Sequence, residues 1–190
     1  MFEEHIKKLI ADLERMSAPE LGNALPEAVD EIRNHVTEIA LSQVPILLEK
    51  TIEKLLEIDA AHIIRKVPEI SDNFMGLLWE GVAELTKQSE EMQSLLEKTR
   101  NMNVNIEASD SPFRGHFSVS GGELSGGAAF FHFKDEDYKI VGSTRLLLEL
   151  LMGRLSMGFS NPALQTAEHS GFAAFVVPVV KGVTSLIRGQ

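Results

Sequence analysis

The chain has 190 residues, a formal net charge of −10, 44% hydrophobic and 24% charged residues and no cysteine, a composition typical of one globular domain with or without a helical extension. The lack of cysteine excludes a disulfide scaffold, a thiolate zinc site and a cysteine nucleophile, and the acidic balance argues against a nucleic-acid partner because phosphate binding requires a positive field. No apolar run reaches the roughly 20 residues of a membrane-spanning helix, and the acidic N-terminus is unlike a signal peptide, so we expect a cytoplasmic protein.

The sequence divides near residue 102 into two parts of different composition. Residues 1–100 carry 11 Lys and Arg against 20 Asp and Glu, whereas residues 101–190 carry 7 against 8. Of the 14 Gly and 10 Phe, 11 and 8 lie after residue 100, which favours strands and turns there. We therefore predict a helical N-terminal region over residues 1–102 and an α+β domain over residues 103–190.

The N-terminal region has the apolar spacing of amphipathic helices. A first helix is predicted over Glu3–Met16, and Pro26 and Pro45 fit the first turns of two further helices of about 15 and 22 residues. A last helix is predicted from about residue 71 to about residue 100. Seven of its positions have the 4-3-4-3 spacing of a helix-pairing seam, which Gly81 and Gln88 weaken: Phe74, Leu78, Gly81, Leu85, Gln88, Met92 and Leu95. We interpret the seam as packing against the other N-terminal helices, with a homodimer interface as the alternative.

The second part begins with the alternating pattern of half-buried strands. Strands are predicted over residues 103–109, 116–119, 124–133 and 138–141, and their short connections indicate an antiparallel meander. Gly142-Ser143-Thr144 can then end the strand and cap a helix with five leucines in positions 146–151. Because this helix is apolar on most of its circumference, it needs cover on more than one side, from another element or from a bound apolar molecule. A fifth strand is predicted over Phe172–Val177, and Pro178 opens a helix through Arg188.

Several of these features occur together in one known family. They are a strand ending in Gly121-Gly122, a charged turn and strand over Asp135–Val141, a Gly142-Ser143 start to the leucine-rich helix, its Gly153-Arg154 end, and a Gly-led last strand before a C-terminal helix. In this order and spacing, residues 104–188 resemble the sterol carrier protein type 2 domain of nonspecific lipid-binding proteins. The resemblance implies a five-stranded antiparallel sheet covered by helices, with an apolar tunnel between them that takes fatty acyl chains, sterols or similar lipids.

The last strand departs from the pattern of that family. Members commonly have Gly-x-apolar-x-apolar-x-Gly-Asp there, whereas this chain has Gly171, then FAAFVV, then Pro178. The start of a kinked helix is therefore the alternative to a fifth strand in this segment.

We expect a nonenzymatic protein that binds, and transfers or holds, an apolar lipid. An acyl chain of around ten methylenes has a gross driving force of roughly 8 kcal/mol before association costs, so micromolar binding needs no specific polar contact. The candidate lining residues are in phase along the strands and helices: Phe117, Val119, Phe131, Phe133, Tyr138, Ile140, Leu147, Leu150, Leu151, Phe159, Phe172 and Phe175. Arg145 and Arg154 are either partners for a lipid carboxylate or solvated surface residues.

Other interpretations remain at this point. The sequence predicts neither a cofactor nor a metal site, and it allows transient contact with a membrane. One alternative function is a protein-interaction or scaffold module whose apolar surfaces form an oligomer interface. A second alternative is a small-molecule enzyme that uses His116 or His132, which could face each other across strands.

Overall fold

The structure is a computed structural model. It describes residues 43–132, 134–155, 165–166 and 171–189, together with six isolated positions before residue 21. The helix predicted over Glu3–Met16 and the segment opened by Pro26 lie outside these continuous ranges.

The described ranges contain six α-helices. They are α1 (Val44–Glu57), α2 (Ala60–Lys66), α3 (Glu69–Gln88), α4 (Glu90–Lys98), α5 (Thr144–Leu151) and α6 (Val177–Ile187). None of these helices is both long enough and apolar enough to cross a membrane.

Two of the predicted N-terminal helices are each divided in two by a polar capping residue. The segment opened by Pro45 breaks before Asp59, whose side chain accepts a hydrogen bond from the His62 amide at 3.1 Å and caps α2. The helix predicted over residues 71–100 breaks at Ser89, whose Oγ accepts from the Met92 amide at 3.2 Å and caps α4.

The sheet is mixed, so the prediction of five antiparallel strands is wrong. Its strands are β1 (Met102–Ala108), β2 (Arg114–Ser120), β3 (Glu123–Gly127) and β4 (Tyr138–Gly142), with a two-residue strand, β5 (Gln165–Thr166), at one edge. The order across the sheet is β3-β2-β1-β4-β5. Strands β1, β2 and β3 form the predicted antiparallel meander, but β4 lies beside β1 and parallel to it, with Val104 opposite Tyr138.

The topology changes because β3 ends at Gly127 rather than at Phe133. Residues 128–132 cross the outer face of the sheet, and Asn105 of β1 holds Phe131 there. Its Oδ1 accepts from the Phe131 amide at 2.9 Å, and its Nδ2 donates to the Phe131 carbonyl at 3.1 Å. A crossing connection of this kind can bring the next strand in parallel, whereas a tight turn would have placed it antiparallel to β3.

The predicted fifth strand over Phe172–Val177 is also wrong. Phe172–Val176 form a π-helical turn that continues into α6, after Gly171 with φ of 107°. Phe172 and Val176 are buried while the alanines between them are exposed. That four-residue spacing fits one face of a helix, not the two-residue period of a strand. The start of a kinked helix, the alternative interpretation, is what the structure contains.

Helices on both sides of residue 102 share one hydrophobic core with the inner face of the sheet. Helix α3 packs on β2 and β3, α5 packs beside β4, and α6 contacts α1, α3, α4 and α5. Gly81, one position of the predicted seam, lies against α1, where an added Cβ would come within 3.0 Å of Val44 and 3.2 Å of Leu48. At this position the seam serves packing within the chain.

Candidate ligand cavity

An apolar cavity lies between the inner face of the sheet and helices α3, α5 and α6. Its volume is about 20 Å³, which is close to the room that one water molecule needs. Twelve residues line it: Met75, Leu78, Trp79, Ile106, Phe113, Phe117, Ile140, Leu147, Leu150, Leu151, Val180 and Val183.

These side chains face the cavity because of the periodicity of the strands and helices to which they belong. On the sheet, Ile106 of β1 is paired with Ile140 of β4, so both side chains point to the inner face. On α6, Val180 and Val183 are three residues apart and share one face. The leucines of α5 reach the cavity from a helix whose start is fixed by Ser143, since its Oγ accepts from the Leu146 amide at 3.3 Å.

Trp79 is the one residue of this lining with a strong hydrogen-bond donor. Its side chain belongs to α3, is 4% exposed and packs on Phe117 with ring centroids 5.4 Å apart. The Nε1 atom is buried, and no group in the described part of the chain accepts a hydrogen bond from it. The surface of the cavity itself is apolar.

Five of the twelve predicted lining residues lie in this lining. They are Phe117, Ile140, Leu147, Leu150 and Leu151. Each was predicted from an in-phase position of a strand or of the leucine-rich helix, and those elements have the predicted type in the structure.

Three other predicted residues, Tyr138, Phe172 and Phe175, form an aromatic cluster around Arg100. The rings of Tyr138 and Phe172 meet edge to face with centroids 5.8 Å apart. The guanidinium of Arg100 lies 5.4 Å from the centroid of the Tyr138 ring and 4.9 Å from that of Phe175, and it donates to the Tyr138 hydroxyl. This cluster connects the chain before β1 to the π-helical turn before α6.

The remaining four predicted residues do not line the cavity. Val119 is buried on the inner face between Met102 and Leu124, away from the lining. Phe131 lies on the outer side of the sheet with its ring 4.6 Å from that of His116, because it belongs to the crossing segment and not to a third strand. Phe133 and Phe159 lie outside the described residues.

Sequence reasoning missed seven lining residues. They are Met75, Leu78, Trp79, Ile106, Phe113, Val180 and Val183. The three on α3 belong to a region that was treated separately from the sheet. Ile106 offered a usable signal, since it alternates in phase within the predicted first strand, and Val180 and Val183 share a face of the predicted last helix.

The second side of the leucine-rich helix is covered by protein. Leu148 is fully buried and faces a depression of about 360 Å³ beside the α1–α2 connection, with Leu55, Leu56 and Ala60. The charged groups there have local partners. Asp110 Oδ1 accepts from the Thr144 amide at 2.8 Å and from its hydroxyl at 2.7 Å, and Arg145 pairs with Glu149 at 3.0 Å. We therefore do not assign a ligand to this depression.

The other predicted polar candidates also lie outside the cavity. Arg145 and Arg154 are exposed, and Arg154 lies 3.5 Å from Glu53. His116 Nδ1 contacts the Ala129 carbonyl on the outer side of the sheet, and His132 is exposed in the crossing segment. Among the residues that the structure describes, no group of three or more His, Asp or Glu side chains could hold a metal ion.

Comparison with known proteins assigns no family to the chain. No protein-family model matches the chain, and a search of curated proteins finds no significant match.

Proposed function

We propose that the chain binds an apolar, lipid-like molecule between the inner face of the sheet and helices α3, α5 and α6, without catalysing a reaction on it. The observation that supports this function is the cavity lining. It consists of aliphatic, methionine and aromatic side chains, and no polar atom of the described residues lies on the surface of the cavity. Such a lining favours hydrocarbon and supplies neither an acid–base pair nor a nucleophile. The resemblance to the sterol carrier protein type 2 domain leads to the same proposal.

Binding requires the helices to move away from the sheet. A cavity of about 20 Å³ accommodates no alkyl chain. Burial of around ten methylenes supplies roughly 8 kcal/mol, from which the costs of opening and of association are subtracted. If the helices moved away from the sheet, the side chains exposed on the helices and on the sheet would be apolar. An apolar ligand would then replace apolar contacts within the protein with apolar contacts to itself.

The distribution of exposed apolar residues favours ligand binding over an oligomer interface. In the described ranges, the large apolar side chains with substantial exposure are Ile46, at 42%, and Phe130, at 38%. A stable interface needs a core of contiguous apolar residues. Most of the large apolar side chains in the described ranges are buried instead, where they can contact a ligand.

Displacement of a fluorescent fatty acid tests the proposal, with two matched variants. Val183→Ile adds one methylene to the cavity wall, whereas Val179→Ile adds it to a fully buried position of the same helix outside the lining. We expect micromolar binding by the unmodified chain, about fourfold weaker binding by Val183→Ile, and unchanged binding by Val179→Ile. Urea denaturation of both variants checks that each is folded.

The absence of binding at micromolar concentrations would overturn the proposal. Equal effects of the two variants would place the ligand elsewhere in the core. Native mass spectrometry of the purified protein provides an independent measurement, in which a bound apolar molecule is expected as a discrete mass increase.

A further inference from the structure

One flexible side chain of the cavity wall fills a slot in the inner face of the sheet. Gly115 of β2 is buried and has no side chain on this face, and Met75 of α3 fills the space above it. An added Cβ at Gly115 would lie 2.8 Å from the Met75 sulfur and 3.1 Å from its terminal methyl group. Met75 is fully buried and lines the cavity, so the slot adjoins the cavity at this side chain.

Larger residues bound the slot on the sheet. Phe113 and Phe117 lie two residues before and after Gly115, and Ile106 is paired with Gly115 across the sheet. All three line the cavity, so their side chains lie on the same face as the slot. Both phenylalanine rings pack against aromatic side chains of α3, with centroids 5.9 and 5.4 Å apart. The Gly127 carbonyl oxygen, 2.9 Å from an added Cβ at Gly115, closes the slot toward β3. The slot therefore admits a single narrow chain.

The side chain that fills the slot is itself an unbranched chain. Methionine has three rotatable bonds and adapts to irregular gaps, and beyond Cβ its side chain has the shape of a short n-alkyl group. The other residues of the cavity lining are branched or aromatic. Met75 is therefore the wall residue that can leave its place with the least strain, and an unbranched chain is what fits the place it leaves.

We propose that the ligand of this cavity is a single unbranched alkyl chain whose end replaces the Met75 side chain above Gly115. This inference rests on the proposed function, and it names the class of lipid, which is a linear acyl or alkyl chain and not a sterol. A fused-ring skeleton is wider than the slot and would require the bounding phenylalanines to move. Displacement of Met75 also supplies part of the room that a cavity of about 20 Å³ lacks.

The chain offers a matched control in a second methionine that lies over a glycine. Met92 of α4 is 2% exposed, and an added Cβ at Gly182 of α6 would lie 2.5 Å from its sulfur. Met92 does not belong to the cavity lining. The two methionines therefore make the same kind of contact with a glycine, and they differ in their contact with the cavity.

The first measurement uses the full-length unmodified chain with ¹³C in its methionine methyl groups. The probes are decanoate, which is linear, and adamantane-1-carboxylate, which has the same head group on a compact cage with a similar number of carbons. We expect decanoate to shift the methyl resonance of Met75 and to leave that of Met92 unchanged. Met75→Leu and Met92→Leu, which nearly keep the side-chain volume, assign the two resonances.

The affinity of each probe provides the second measurement. In Met75→Ala the slot is already empty, so decanoate displaces no buried side chain, and we expect it to bind about tenfold more tightly. Adamantane-1-carboxylate should gain at most about twofold, because the slot stays too narrow for a cage. Met92→Ala should change neither affinity. The methyl measurement decides the question if Met75→Ala does not fold.

The outcomes separate this inference from the proposed function. If decanoate binds while the Met75 resonance stays in place, or if the two alanine variants change its affinity equally, the slot above Gly115 is overturned as the end of the site and apolar binding stands. If Met75→Ala strengthens the binding of both probes equally, the linear class is overturned. If neither decanoate nor a fluorescent fatty acid binds, the proposed function fails and this inference fails with it.

Discussion

The indole of Trp79 lies directly on the backbone of Gly126, so closely that an added Cβ would be 2.4 Å from Cδ2 and 2.5 Å from Cγ of the ring. This contact fixes the position of α3 over β3, since the Trp79 ring meets the strand backbone with no side chain of β3 at that position between them.

Gly126→Ala is therefore expected to displace α3 from the sheet. The new methyl group cannot be accommodated without moving a buried aromatic ring, and we expect a loss of about 2–4 kcal/mol in the free energy of unfolding. Gly127→Ala is the matched control. Its Cβ points to the other face, 3.3 Å from Cε1 of the half-buried His116, so a cost below about 1 kcal/mol is expected. Urea denaturation measures the loss in the free energy of unfolding of each variant. Equal losses would contradict the role of the Trp79 contact in positioning α3.

A second prediction concerns Asn105, which holds the crossing segment on the sheet. Its side chain is 3% exposed, contacts Glu136 and bonds to both backbone polar groups of Phe131. Asn105→Ala removes all of these bonds, so we expect a loss of about 2–3 kcal/mol in the free energy of unfolding and faster hydrogen exchange at the Phe131 amide.

Asn101→Ala is the control for that substitution. Asn101 is exposed and accepts one hydrogen bond, from the Gly121 amide at 2.9 Å. Water can replace this bond, so the loss should stay below about 1 kcal/mol. Unchanged exchange at Phe131 in Asn105→Ala would show that the crossing segment is held by other contacts.

Asn105 also shows why the sheet could be predicted only in part. Strands β1, β2 and β4 follow from local alternation, and the Gly121-Gly122 turn follows from two residues with positive φ. Residues 128–133 alternate just as well in the sequence, but the backbone of Phe131 is bonded to the side chain of Asn105, 26 residues away. The neighbouring residues in the sequence give no sign of that hydrogen bonding. Judged from these neighbours alone, a strand is the structure that the alternating pattern favours.

The candidate site was predictable to a similar degree. Leu147, Leu150 and Leu151 follow from a local helical pattern, and they line the cavity. Trp79 does not, because its place in the wall depends on a glycine in a distant strand. The FAAFVV segment is ambiguous by itself, since a short apolar run fits a strand or a helix, and packing against Tyr138 decides for the helix.

The last prediction concerns Arg100, whose guanidinium lies 5.4 Å from the centroid of the Tyr138 ring and 4.9 Å from that of Phe175. Arg100→Lys keeps the charge but loses the planar group that can stack on both rings and bond to the Tyr138 hydroxyl. We expect about 1 kcal/mol less stability, with the change concentrated in the π-helical turn.

Hydrogen exchange locates that change. The amides of Ala174 and Phe175 donate to the Gly171 carbonyl at 3.0 and 2.9 Å, and both should exchange faster in Arg100→Lys because the turn opens more often. Arg114→Lys is the control, since the Arg114 guanidinium lies 5.7 Å from the Phe130 ring on the opposite side of the sheet. If both variants accelerate exchange equally at Ala174 and Phe175, Arg100 does not anchor the turn, and the start of α6 is held by its apolar contacts alone.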